Sequence, residues 1–154
     1  DNVRSLHNVG SVLRSCDAFR VEAVYLCGIT ATPPSAEIHK TALGAEDSVT
    51  WKYFAQTTDA INELHAKGTK VYAVEQVAGS TMLQNLDTEV GTRYAVVLGN
   101  EVKGVQQTVV DLCDGCLEIP QFGTKHSLNV SVAAGIVVWE FAKKIGKGEE
   151  VKRR

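Results

Sequence analysis

The chain has 154 residues, 44% of them hydrophobic and 22% charged, with 16 Lys and Arg against 18 Asp and Glu. That length holds one ordinary domain with a sizeable core and no need of covalent staples, and the composition excludes a disordered or collagen-like chain. A net charge of −2 argues against blanket coating of nucleic acid but leaves room for a local basic face.

In chain order, residues 3–19 carry Leu6, Val9, Val12, Leu13 and Cys16 at a helical period. Asn8-Val9-Gly10 reads as the loop and helix start, with Arg14 projecting from the first turns. A helix through both Asn8 and Arg14 would separate them by about 600° of rotation, so they would not share a face. Residues 23–27 form a short apolar run closed by Gly28, a buried strand. Thr32-Pro33-Pro34-Ser35 breaks the chain, and residues 39–44 read as a loop. Residues 49–54 give a second strand. Residues 57–67 give a helix capped by Thr57, Thr58 or Asp59 and stopped by Gly68. Residues 71–74 and 94–98 are strands, and residues 116–119 a short one ending at Pro120. Residues 127–144 form a long helix for which Ser127 is the plain N-cap. The tail from Lys147 is charged and expected to fray.

Apolar strands alternating with helices predict an α/β chain with a mainly parallel sheet covered by helices on both faces. No apolar run approaches the roughly 18 residues of a membrane span. A single domain is expected. Cys16, Cys27, Cys113 and Cys116 are expected as reduced thiols in a cytoplasmic setting. Cys113 and Cys116 have metal-ligand spacing but no second pair to complete a site, so they read as small buried hydrophobes.

Ligands of open α/β sheets bind beyond the carboxyl ends of strands. The loop Gly99-Asn100-Glu101-Val102-Lys103-Gly104 follows the clearest strand, and neither GxxxxGK[ST] nor GxGxxG occurs. That absence counts against a nucleotide-binding oxidoreductase. A second polar loop runs from Gln121 to His126, and Asn129 then interrupts good helix formers at a helix start.

Taken together, Asn8-Val9-Gly10-Ser11-Val12-Leu13-Arg14, Leu98-Gly99-Asn100-Glu101-Val102-Lys103-Gly104, and Ile119-Pro120 followed by Ser127-Leu128-Asn129-Val130-Ser131 resemble the three ordered motifs of the SpoU (TrmH-like) RNA 2′-O-ribose methyltransferases of the SPOUT superfamily. The resemblance implies a C-terminal deep trefoil knot that binds S-adenosylmethionine, and a homodimer with its site near the interface. It implies a cofactor pocket lined by Val74, Leu98, Gly99, Ile119 and Leu128, no metal, and no separate RNA-binding domain, since it covers essentially the whole chain. Arg14 matches the catalytic arginine, and Asn8, Glu101, Ser127 and Asn129 its polar surroundings. Arg14 is either the general base or a group that holds phosphate and stabilises a developing alkoxide. The expected substrate is RNA, tRNA ahead of rRNA. The alternative is a non-catalytic RNA-binding or assembly protein of the same fold. Lys125, Lys143, Lys144, Lys147, Lys152, Arg153 and Arg154 are candidate contacts to RNA backbone, and the loop at residues 39–44 a candidate RNA-facing one.

Overall fold

In the computed structural model, which describes residues 1–146, the Ser5 side chain accepts the Asn8 amide and opens helix α1 (Leu6–Ala18). The chain continues through β1 (Val24–Cys27), the short helices α2 (Ala36–Ala42) and α3 (Ala45–Ser48), β2 (Trp51–Phe54), α4 (Thr57–Ala66) and β3 (Lys70–Val74). It then forms β4 (Thr81–Met82), a 3-10 turn at Leu83–Asn85, β5 (Tyr94–Val97), α5 (Gln107–Leu112), β6 (Gly115–Glu118) and α6 (Val130–Ile145). Every pairing between these strands is parallel.

β3 lies inside a four-stranded sheet of order β4-β6-β3-β5. Its alternate residues Val71 and Ala73 pack with Ile61, Val97 and Val109, under α4 and α5. Tyr72 and Val74 turn to the other side, toward Leu117, Val137 and Phe141 on β6 and α6. This two-sided burial produces the apolar run that marks the strand in sequence.

The sheet departs from the single expected one. β1 and β2 pair only with each other. The Asp1 backbone nitrogen donates to the Leu98 carbonyl at 2.8 Å, and the Asn2 amide to the Cys27 carbonyl at 3.2 Å. The first residues thus join the carboxyl ends of β1 and β5. Between the two sheets lies a cavity of about 830 Å³, with apolar walls that include Val12, Leu26, Val97 and Val138.

Four local expectations are corrected. Asn8-Val9-Gly10 is not a loop but the first turns of α1. A Cβ on Gly10 would stand 2.3 Å from the Ile38 carbonyl oxygen, so the glycine serves the close contact of α1 with α2. Residues 39–42 are helical, because Ser35 caps α2 and Ile38 and Ala42 are buried. The last long helix begins at Val130, with Asn129 rather than Ser127 as its N-cap. At α4 the N-cap is Gln56, and Thr57 instead bonds Asp1. The basic residues Lys147, Lys152, Arg153 and Arg154 lie outside the described residues.

Cys113 and Cys116 are free thiols packed against the cluster around β3. Burial pushes Cys113 up to about 12 and Cys116 in the same direction, which removes both as thiolate nucleophiles at neutral pH.

Between them, Asp114 Oδ2 accepts the Val71 amide at 2.7 Å and meets His65 Nε2 at 3.0 Å. Burial raises this carboxyl, but the Val71 amide and His65 outweigh burial and hold it below the ordinary carboxylate range. A native pKa below the unfolded value of about 3.9 stabilises the fold above that pH. The contribution is lost as pH falls through the native value. Asp114→Asn is therefore expected to lower stability at pH 7 and to match the wild type near pH 2. Urea midpoints across that range measure it, and a pH-independent gap would reject it.

Candidate active site

The register Ala73↔Val97 and Val74↔Leu117 aligns the carboxyl ends of β5, β3 and β6. Val74, Leu98 and Ile119 consequently stand along one sheet edge as half-buried apolar side chains. Gly99 follows Leu98, where the chain folds back and Asn100 and Gly104 exchange backbone hydrogen bonds of 3.0 and 2.9 Å. A Cβ on Gly99 would lie 2.2 Å from the Gly104 carbonyl carbon and from the Val105 nitrogen, so only glycine permits this turn. Glu75, the residue after β3, accepts the Val105 amide at 2.5 Å and ties the turn to the sheet edge. Leu128, by contrast, lies 40% exposed in the loop before α6.

The polar groups converge on the start of α1. Glu101 accepts the Arg4 amide at 2.8 Å and the Ser5 amide at 3.0 Å. Asn129 Oδ1 accepts the Ser131 amide at 2.9 Å and the Val132 amide at 3.3 Å, which caps α6. Its Nδ2 donates to Asn8 Oδ1 at 3.2 Å, which docks that cap on α1. Beneath these, the buried Asp1 carboxylate accepts the Thr57 hydroxyl at 2.6 Å and the Gln106 amide at 2.8 Å.

Asn8, Glu101 and Asn129 are therefore gathered round the first turn of α1, from segments far apart in the chain. Arg14 and Ser127 are not. Both are exposed, and neither bonds to that group. α1 runs unbroken through Asn8 and Arg14, so the two leave the helix on different sides. Glu101 binds backbone amides, which makes it a positioning residue for the α1 start.

Sequence reasoning missed Asp1, Ser5 and Glu75. Glu75 carried a usable signal, an acidic residue directly after a buried strand on the ligand-binding edge. Asp1 and Ser5 act through partners that no local pattern reveals.

Three segments meeting in this way are what the motif order requires, and a family model described as the SpoU rRNA Methylase family matches residues 1–139. The chain belongs to that family. The 23S rRNA (guanosine-2′-O-)-methyltransferase RlmB of Nitrosomonas europaea is 38% identical over 141 residues, which cover 91% of this chain and 53% of that protein. The crystal structure of the AdoMet-bound rRNA methyltransferase from Sinorhizobium meliloti matches with a TM-score of 0.85 and 30% identity, over 94% of this chain and 54% of that one. The A. aeolicus TrmH/SpoU tRNA modifying enzyme matches with a TM-score of 0.84 and 26% identity, over 96% and 74%. The SpoU chain thus spans about half the length of the curated relatives it matches. Among its described residues no group of His, Cys, Asp and Glu is placed to hold a metal ion, and no helix is long and apolar enough to cross a membrane.

Proposed function

We propose that this SpoU chain transfers a methyl group from S-adenosylmethionine to a ribose 2′-hydroxyl of RNA, in the cytoplasm, with ribosomal RNA as the substrate. The observation that carries the proposal is the joining of the Gly99 turn, the α6 cap and the α1 start by the Glu101 and Asn129 hydrogen bonds. The relatives' names favour ribosomal RNA over the tRNA first expected, since the rRNA enzymes are 38% and 30% identical and the tRNA enzyme 26%. A deep trefoil knot through residues 98–104 and 119–129 is part of the proposal, supported by the likeness to SpoU folds.

The sheet edge suits the cofactor. Val74, Leu98 and Ile119 offer apolar walls for the adenosyl group of the sulfonium, Leu128 adds one from the loop before α6, and the tight Gly99 turn shapes the edge. When bound, S-adenosylmethionine supplies an activated methyl group. The chain itself must orient the ribose and stabilise negative charge on its oxygen. Asn8 and Asn129 form a fixed polar pair beside the approach, with Ser127 exposed in the loop that precedes it. Arg14 holds a phosphate or the developing alkoxide. Of its two expected roles this is the one its chemistry favours, because an arginine keeps its proton in proteins. The proton then leaves to water.

The chain acts as a homodimer. Val132, Ile136 and Trp139 are exposed at i, i+4 and i+7 on α6, and Trp139 packs on Phe19 of α1 with ring centroids 5.5 Å apart. A second copy covers this stripe. Sedimentation is expected to give twice the 16.6 kDa chain mass, and Ile136→Glu a monomer. A wild-type monomer at micromolar concentration would reject the dimer.

Mass mapping of ribosomal RNA from cells lacking the protein tests the function. One lost 2′-O-methyl group is expected, and an unchanged methylation pattern would overturn the proposal.

A further inference from the structure

Two sets of positive charges stand apart among the described residues. Lys40 on α2, Lys52 on β2, Lys67 after α4, Lys70 on β3 and Lys143 on α6 each stand within 4.0 Å of a carboxylate. Arg4, Arg14, Lys103 and Lys125 have no carboxylate partner among the described residues. All four are exposed. All four also belong to the segments that build the site: the approach to α1, α1 itself, the turn after β5 and the loop before α6.

Two of them, Arg4 and Lys103, stand on backbone that is fixed from both sides. The Arg4 amide donates to Glu101. The Lys103 amide donates to Asn100 Oδ1 at 3.0 Å, and Asn100 Nδ2 in turn donates to the Asn2 carbonyl at 2.9 Å. Glu101, the carboxylate next to both, forms an ion pair with neither. It accepts the amides of Arg4 and Ser5 instead. The geometry leaves two cationic side chains free on a rigid, cross-tied base, in a chain whose net charge is −2. Free cations on fixed backbone beside a reaction site match an external polyanion, and a guanidinium paired with an ammonium matches successive phosphodiesters.

We propose that Arg4 and Lys103 grip phosphates of the RNA strand that flank the target nucleotide, which makes them substrate-positioning residues outside the methyl-transfer machinery. The inference rests on the RNA reading above and adds to it the residues and the type of contact.

The test is the salt dependence of binding. The probe is an unmethylated transcript of 23S rRNA, and its binding to the full chain is measured between 50 and 300 mM KCl. Each lost phosphate contact lowers the slope of log K against log salt by roughly one. Arg4→Gln and Lys103→Gln are each expected to lower it by about one and the double variant by about two, with unchanged melting temperatures. Lys52→Gln and Lys67→Gln, which remove ion-paired charges, are expected to leave the slope as in the wild type. Wild-type slopes in the Arg4 and Lys103 variants overturn the inference while the RNA reading stands. A wild-type chain that binds S-adenosylmethionine but neither binds nor methylates the transcript overturns both.

Discussion

Arg14→Ala is expected to lower methyl transfer by roughly 10²–10⁴-fold, the range for losing a positioned proton-transfer or charge-stabilising group. Cofactor affinity should stay nearly intact, because the apolar edge at Val74, Leu98 and Ile119 and the Gly99 turn are remote from Arg14 in the hydrogen-bond pattern. Arg14 is exposed and bonds to no described residue, so its removal opens no cavity and leaves no buried partner unsatisfied. Stability should change by no more than about 0.5 kcal/mol. Arg14→Lys keeps the charge but loses the planar fork, and should recover little if a phosphate is held at two points. Single-turnover methylation at saturating RNA and cofactor, beside a cofactor titration, measures both effects. Normal turnover in Arg14→Ala would remove Arg14 from the mechanism.

The second large effect is expected at Gly99. An alanine there places a methyl group 2.2 Å from two backbone atoms of the same turn. Backbone cannot swing aside as a side chain does, so the turn must open and the Asn100–Gly104 hydrogen bonds and the Glu75 tie must strain with it. Overpacking of this kind costs about 1–3 kcal/mol. Because the turn forms the sheet edge, Gly99→Ala should also abolish cofactor binding in calorimetry, even at temperatures where the variant stays folded. Retained affinity would place the cofactor elsewhere.

Much of this was readable from the chain. The runs at β1, β3 and β5 are continuous because helices or neighbouring elements cover them on both sides, and that burial is what a sequence displays. β4 has two residues and α5 six, too few for a period to register. At the start of α1 a loop was expected because a helix through Asn8 and Arg14 sets them on different faces, yet the helix does run through both, and Gly10 makes room for α2. The polar motif residues were identifiable as a set. Their division of labour was not, because Glu101 meets Arg4 across 97 positions and Asn129 meets Asn8 across 121. Such ties depend on tertiary placement, and nothing local in the sequence encodes them. The same holds for Asp1 and Asn2, whose bridge between β1 and β5 takes the place of strand pairing.

Direct analysis of the product decides the central claim. The purified chain is incubated with methyl-labelled S-adenosylmethionine and unmethylated 23S rRNA transcript, and the RNA is digested to nucleosides and separated by mass. The label is expected in a single 2′-O-methylnucleoside. Label on a base, or none in the RNA while the chain binds the cofactor, would contradict the account.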